Sequence, residues 1–308
     1  MHDNKLREHL FRVGLPIAPV GGEIFFVAKA TSQAWEWLRS RTDTHKIFNT
    51  INEAINACTA SRGDSIVVAP YHTETVSAAD GVDLDVAGVQ LLGMGVGNGR
   101  PLLDFTNAAG ELVLGAADVG VDNFRLHANV PDVLIGIEIE AAADNFRLTR
   151  LHFDVETTGT DEFKAVIQAE AGANGGLVAD CYCDMGLGNA TGFFHMNGAS
   201  TNHQVLRNFV TGDYSTANIY GSTAASTVLN IGQNILQNGT GTNIGAQPCI
   251  ELNGNSTGII WNNYCACNLA TKAASIVAAG CFLFENYYNE DISGAATGGI
   301  IGTASADD

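Results

Sequence analysis

No stretch of this 308-residue chain approaches the ~20 consecutive apolar residues that a bilayer-spanning helix requires. The opening MHDNKLREHLF lacks the continuous apolar segment of a secretory signal. No membrane partner is therefore expected, and the chain is expected to fold in the cytoplasm. Charged residues make up only 16%, too few for many solvated helical surfaces. Positive charge is scarcest: 15 Lys and Arg stand against 33 Asp and Glu, for a net charge of −18. The imbalance lies after residue 70, where seven basic residues face 26 acidic ones; residues 1–70 hold eight and seven. A body this acidic repels phosphate backbones, so no nucleic-acid partner is expected. Among the seven cysteines no C-x2-C pair of the kind zinc prefers occurs. The CYC (181–183) and CAC (265–267) pairs put both sulfurs on one strand face, which points to buried free thiols in a reducing compartment. Phosphate loops, nucleophile elbows and metal-spaced His pairs are also missing. No cofactor, no metal and no enzymatic activity are expected.

What is present is repetition. Short segments with a polar residue between apolar ones recur at Ile137, Ile167, Phe194, Ile219, Ile250 and Ile276, with gaps of 30, 27, 25, 31 and 26 residues. A second, offset series carries Asn123, Asn208, Asn234, Asn263 and Asn286, with Leu151 and Cys181 at the positions lacking Asn. Two interleaved strand series at one period, separated by Gly, Asn, Thr and Ser, describe a solenoid whose coils bury their faces by stacking. The fold expected is all-β: a right-handed parallel β-helix with an N-terminal arm and a short capping helix.

Strand alternation assigns the faces. Ile137 and Ile139 point inward and Glu138 and Glu140 outward. The equivalent outward positions on later coils hold Gln168 and Glu170, His195 and Asn197, Tyr220 and Ser222, Glu251 and Asn253. Stacked at ~4.8 Å, they form a two-lane polar strip. Its first lane, Glu138, Gln168, His195, Tyr220 and Glu251, is the candidate contact surface. The Asn series is read as bend residues, since Asn tolerates the left-handed conformation. Asp154 and Asp184, three residues beyond Leu151 and Cys181, share an outward position on adjacent coils, with His152 above Tyr182. Such a pair could serve a glycosidic bond, yet two solvated acids are the plainer reading. The two DNFRL copies, 22 residues apart, conflict with the coil phase, which sets Asn123 opposite Leu151.

Four segments follow. Residues 1–45 form an arm for attachment, with Trp35 and Trp37 as its anchors. Residues 46–70 hold a capping helix and a strand: Thr50 and Glu53 make a capping box, and Ile51, Ala54, Ile55 and Cys58 fall on one helical face. Coils occupy 71–293, and 294–308 form a small-residue tail or distal cap.

The stretch KIFNTINEAINACTASRGDSIVVAPYHTETV (46–76) resembles the leading segment of pectin-lyase-like right-handed β-helices. With FFVAKATSQ before it and VDLDVAGVQLLGMG after it, the chain also resembles β-helix proteins of tailed-phage and prophage structural gene sets. APYHTET lacks the glycine usual in that first turn, and the catalytic motifs of the enzymatic relatives are missing. Arg207 has no Asp cluster beside it in sequence. The resemblance implies a virion protein, expected as a homotrimer that decorates the capsid surface, binds the major capsid protein and stabilises the assembled head. The alternative it implies is a tailspike that binds or cuts a host-surface glycan.

Overall fold

The computed structural model describes residues 21–155, 162–186, 190–221, 223–239, 247–267, 275–289 and 298–301. The chain is all-β and winds through three sheets, here A, B and C, of 11, 10 and 8 strands. One coil runs Leu229–Gly232 in sheet A, Ile235–Asn238 in sheet B and Ile250–Leu252 in sheet C, then returns to sheet A at Gly258–Trp261. Neighbouring coils pair in parallel throughout, except that Gly298–Ile301 adds antiparallel to Asn286–Asn289 at the end of sheet B. The expected register is the register found: Ile137, Ile167, Phe194, Ile219, Ile250 and Ile276 are successive partners in sheet C. All six are buried, within one continuous core that runs the length of the solenoid. Cys181, Cys183, Cys265 and Cys267 point into it as free thiols.

Sheets A and B meet at a two-residue bend, and here the sequence reading needs correcting. The left-handed residue is not the Asn of the second series but the one before it: Arg150, Asp180, Arg207, Gln233, Asn262 and Glu285, with φ between 48° and 58°. The next residue turns inward, so Asn208, Asn234, Asn263 and Asn286 are buried. They stack as a ladder of amides. Asn208 and Asn234 each donate through the side-chain amide to the carboxamide oxygen of the next Asn, at 3.0 and 2.9 Å. The same amides donate to Val178 O and Val205 O, backbone carbonyls of the preceding coil, at 3.1 and 2.9 Å. Asn123 is itself left-handed, at φ 64°, and Phe124 fills the inward place above Leu151 and Cys181. The phase conflict dissolves accordingly. Leu126 of the first DNFRL copy lies in sheet B, paired to Phe153, whereas Leu148 of the second lies in sheet A, paired to Val121.

At the N-terminal end, α1 (Gln33–Arg39) and α2 (Ile51–Ile55) supply the covering layers. Glu53 N–H donates to Thr50 Oγ1 at 3.3 Å and Thr50 N–H to Glu53 Oε2 at 3.2 Å, the expected capping box. Ile51, Ala54 and Ile55 close the open end of the core. Cys58 lies past the helix end, its Sγ donating to Ala54 O at 3.3 Å. The boundary drawn at residue 45 does not separate an arm from the solenoid: Ile24–Val27 sits inside sheet A between Ile47–Phe48 and Ser65–Val68. Its outward Ile24 and Phe26, with Val67 and Ala69, are covered by Leu38 and Trp35 of α1. Residues 1–20, and all of the tail but 298–301, lie outside the described residues.

Candidate functional site

The five-residue lane expected on sheet C is assembled as drawn. Glu138, Gln168, His195, Tyr220 and Glu251 are consecutive partners. Their polar groups are largely engaged with one another. Gln168 donates to Glu170 at 2.7 Å, so its oxygen is left to accept from His195 Nδ1 at 2.9 Å. That fixes the imidazole as the neutral Nδ1–H tautomer. Asn197 donates to both carboxylate oxygens of Glu170, at 3.1 and 3.0 Å. The His195 ring stacks on Tyr220 at 4.0 Å, and Tyr220 is only 8% exposed. Burial pushes the His195 pKa down to about 4, against the opposing pull of Glu170. Towards the N-terminal coils, burial together with the charge of Glu138 raises Glu111 to about 7, and burial with Glu170 and Glu140 nearby raises Glu138. Recessed and internally bonded, this lane is a self-satisfied network more than a projecting contact surface.

On sheet B the carboxylate pair takes its expected place, each member one residue beyond the paired Phe153 and Cys183, with His152 opposite Tyr182. The two acids have separate partners. Asp154 is ion-paired to Arg125 at 2.7 Å, and Asp184 Oδ1 accepts from Gly186 N–H at 3.1 Å. Arg207 does find a carboxylate: from the bend it grips Asp180 of the preceding coil with two bonds of 2.7 and 2.8 Å, and Arg150 does the same to Asp122. These arginines staple successive coils together. Trp35 of α1 is half-buried against sheet A, while Trp37, 48% exposed, carries the Arg41 guanidinium 4.7 Å over its ring.

The surface that sequence reasoning missed lies at the outer corner of sheets A and B on the C-terminal coils. The residue after Cys181 and after each buried Asn points out, which builds a lane of Tyr182, Phe209, Ile235, Tyr264 and Tyr287 on sheet B. Around the bend, Ile259 and Phe282 are paired on sheet A, as are Trp261 and Phe284. Phe282 is 80% exposed, Phe284 53% and Tyr264 52%. Val228, Leu229, Ile259 and Phe282 also line a shallow groove with Gln204 and Asn230. The available signal was an apolar residue following Asn in VLRNF, GQNI, WNNY and FENY. The aromatic rings of the lane pack face to face: Tyr182 on Phe209 at 5.4 Å and 4°, Tyr264 on Tyr287 at 4.9 Å and 12°.

Compared with known proteins, the chain matches no family model, no curated protein and no solved structure.

Proposed function

We propose that this chain is a structural protein of a tailed-phage-type virion, a pectin-lyase-like β-helix that decorates the capsid as a homotrimer, binds the major capsid protein and stabilises the assembled shell. The observation that carries the reading is the chemistry of the outer faces. Asp154, Asp180 and Asp122 are engaged by Arg125, Arg207 and Arg150, and Tyr182 with Phe209 and Tyr264 with Tyr287 turn their flat faces to one another. A sugar is gripped by stacking on a ring face, and these four stacked rings offer edges. The surface left over is apolar and suits contact with protein. The acidic coils would keep decorated particles apart.

A ligand that binds only the assembled shell stabilises it by mass action. Particles lacking the chain should burst at lower temperature or after milder osmotic shock and still adsorb to hosts normally. Normal robustness with lost adsorption would refute the decoration role and favour the glycan-binding tailspike.

A further inference from the structure

The apolar corner is too large to be incidental. With an aromatic side chain counted at about 200 Å² and an aliphatic one slightly below that, the exposed parts of Tyr182, Phe209, Ile235, Tyr264, Phe282 and Phe284, with Val228 and Ile259, present about 800 Å² of apolar surface. Ordinary monomers show a largest patch of about 300–600 Å². About 800 Å² per partner is what one side of a stable protein interface buries.

The charge pattern says what fits there. Between Asp213 and Glu285 the sequence carries only two charged residues, Glu251 and Lys272, whereas residues 71–213 hold 20 acidic and 6 basic ones. From Ile235 to Phe284 the corner therefore occupies the neutral third of a strongly acidic molecule, while Tyr182 and Phe209 lie beside the paired Asp180 and Arg207. A basic partner would be drawn to the acidic coils and away from this end. A glycan would find the rings of Tyr182, Phe209, Tyr264 and Tyr287 already stacked face to face. A surface that is apolar, low in charge and built on rigid strands is matched by the same surface on another molecule, which meets it with few carboxylates brought together.

We propose that the outer corner of sheets A and B, centred on Ile235, Tyr264 and Phe282, is where this chain binds further copies of itself. The inference rests on the structural-protein reading only in taking the outer face as a contact surface. Copies joined there hold their neutral ends together, and this leaves the acidic coils and α1 free for other contacts.

The test is light scattering on the full chain during size-exclusion chromatography from about 1 to 100 µM, where an interface of this size is occupied at micromolar or tighter affinity. The wild type should elute at a whole multiple of 32.3 kDa. The double variant Tyr264→Asp, Phe282→Asp should run at 32.3 kDa with an unchanged far-ultraviolet spectrum, because both side chains are exposed. Val277→Asp, equally outward but on sheet C, should remain assembled. A wild type that stays monomeric throughout, or a folded double variant that assembles like the wild type, overturns the proposal. Shell stabilisation is read separately. An assembled protein that leaves particles unprotected removes the decoration role and keeps the interface; a monomer that still protects them removes the interface and the trimer, and keeps the decoration role.

Discussion

Asn234→Asp changes one NH2 to oxygen with no change of shape, and this isolates the chemistry of the buried ladder. The Asn234 amide donates to Val205 O and to Asn263 Oδ1, each at 2.9 Å, while its oxygen accepts from the backbone and side-chain N–H of Asn208 at 2.9 and 3.0 Å. Aspartate would aim a carboxylate oxygen at two acceptors inside a core where Asn234 is fully buried. Asn263 Oδ1 keeps the Asn234 backbone N–H at 3.0 Å, but each acceptor would face a carboxylate oxygen in place of an N–H, at a cost of about 1–3 kcal/mol each. Escape by protonation at pH 7 costs about 4 kcal/mol, three units above the ordinary Asp pKa. Either route gives about 3–5 kcal/mol, on the order of 10 °C in Tm for a chain of this size.

The loss carries a pH signature. An aspartate forced to stay protonated has a folded-state pKa above its unfolded one. The penalty is therefore full above the folded pKa and fades as pH falls towards about 4. Thermal melts of variant and wild type from pH 7.5 to 4.5, about the range in which the acid protonates, should converge at the acid end. Asn262→Asp is the control: the adjacent residue is left-handed at φ 48°, and Asp180 holds the same bend position at φ 57°. It should stay within about 0.5 kcal/mol of wild type. Equal losses for both variants, or no convergence at low pH, would refute the inward ladder.

Four further outcomes are expected. Leu148→Asp, which buries a charge in sheet A, should prevent folding of its coil, whereas Arg147→Ser, one residue away and exposed, should leave the urea midpoint nearly unchanged. Gln233 sits at φ 58° and is exposed, so Gln233→Gly should relieve up to about 1 kcal/mol of left-handed strain, while Gln233→Val should lower the Tm. His203, packed between Phe146 and Phe194, is pushed by burial to about 4. Its contribution is complete above the unfolded value of about 6.5 and is lost as pH falls towards 4, a loss of about 3 kcal/mol that His203→Phe should abolish in acid melts. Glu111, raised to about 7, acts oppositely: its stabilising protonation is complete below about 4.5 and is lost as pH rises through 7, so Glu111→Gln should flatten the alkaline side of the stability profile.

The parts of this fold that could be read from the sequence are those where one residue type has one physical use. An Ile or Phe flanked by polar residues at a repeating interval has no place but inward, and sheet C followed residue for residue from Ile137 to Ile276. The polar lane beside it followed with the same certainty, because period-2 alternation fixes both faces at once. The energetic character of the lane was not legible: whether Gln168, His195 and Glu170 reach solvent or each other depends on side-chain geometry that alternation does not encode.

The Asn series was misread by one residue for a related reason. Asn suits a left-handed bend and equally suits a buried ladder, because its carboxamide can bond like a backbone peptide unit in either setting. The deciding information lay in the neighbours. Arg150, Arg207, Gln233 and Glu285 look like poor choices for a left-handed position, and three of these strained sites are followed by a buried Asn. The ladder's amides bond the bend of each coil to the coils on either side. Strain at one residue is thus compensated at the next, and the pair repeats with the coil. The same phase shift hid the apolar corner. Once Asn208, Asn234, Asn263 and Asn286 are turned inward, alternation throws Phe209, Ile235, Tyr264 and Tyr287 outward. An error of one residue in register exchanges core for surface along a whole lane. A buried-amide ladder and an exposed aromatic lane are therefore two consequences of one bend. A sequence that repeats Asn followed by an aromatic at the coil period carries both together.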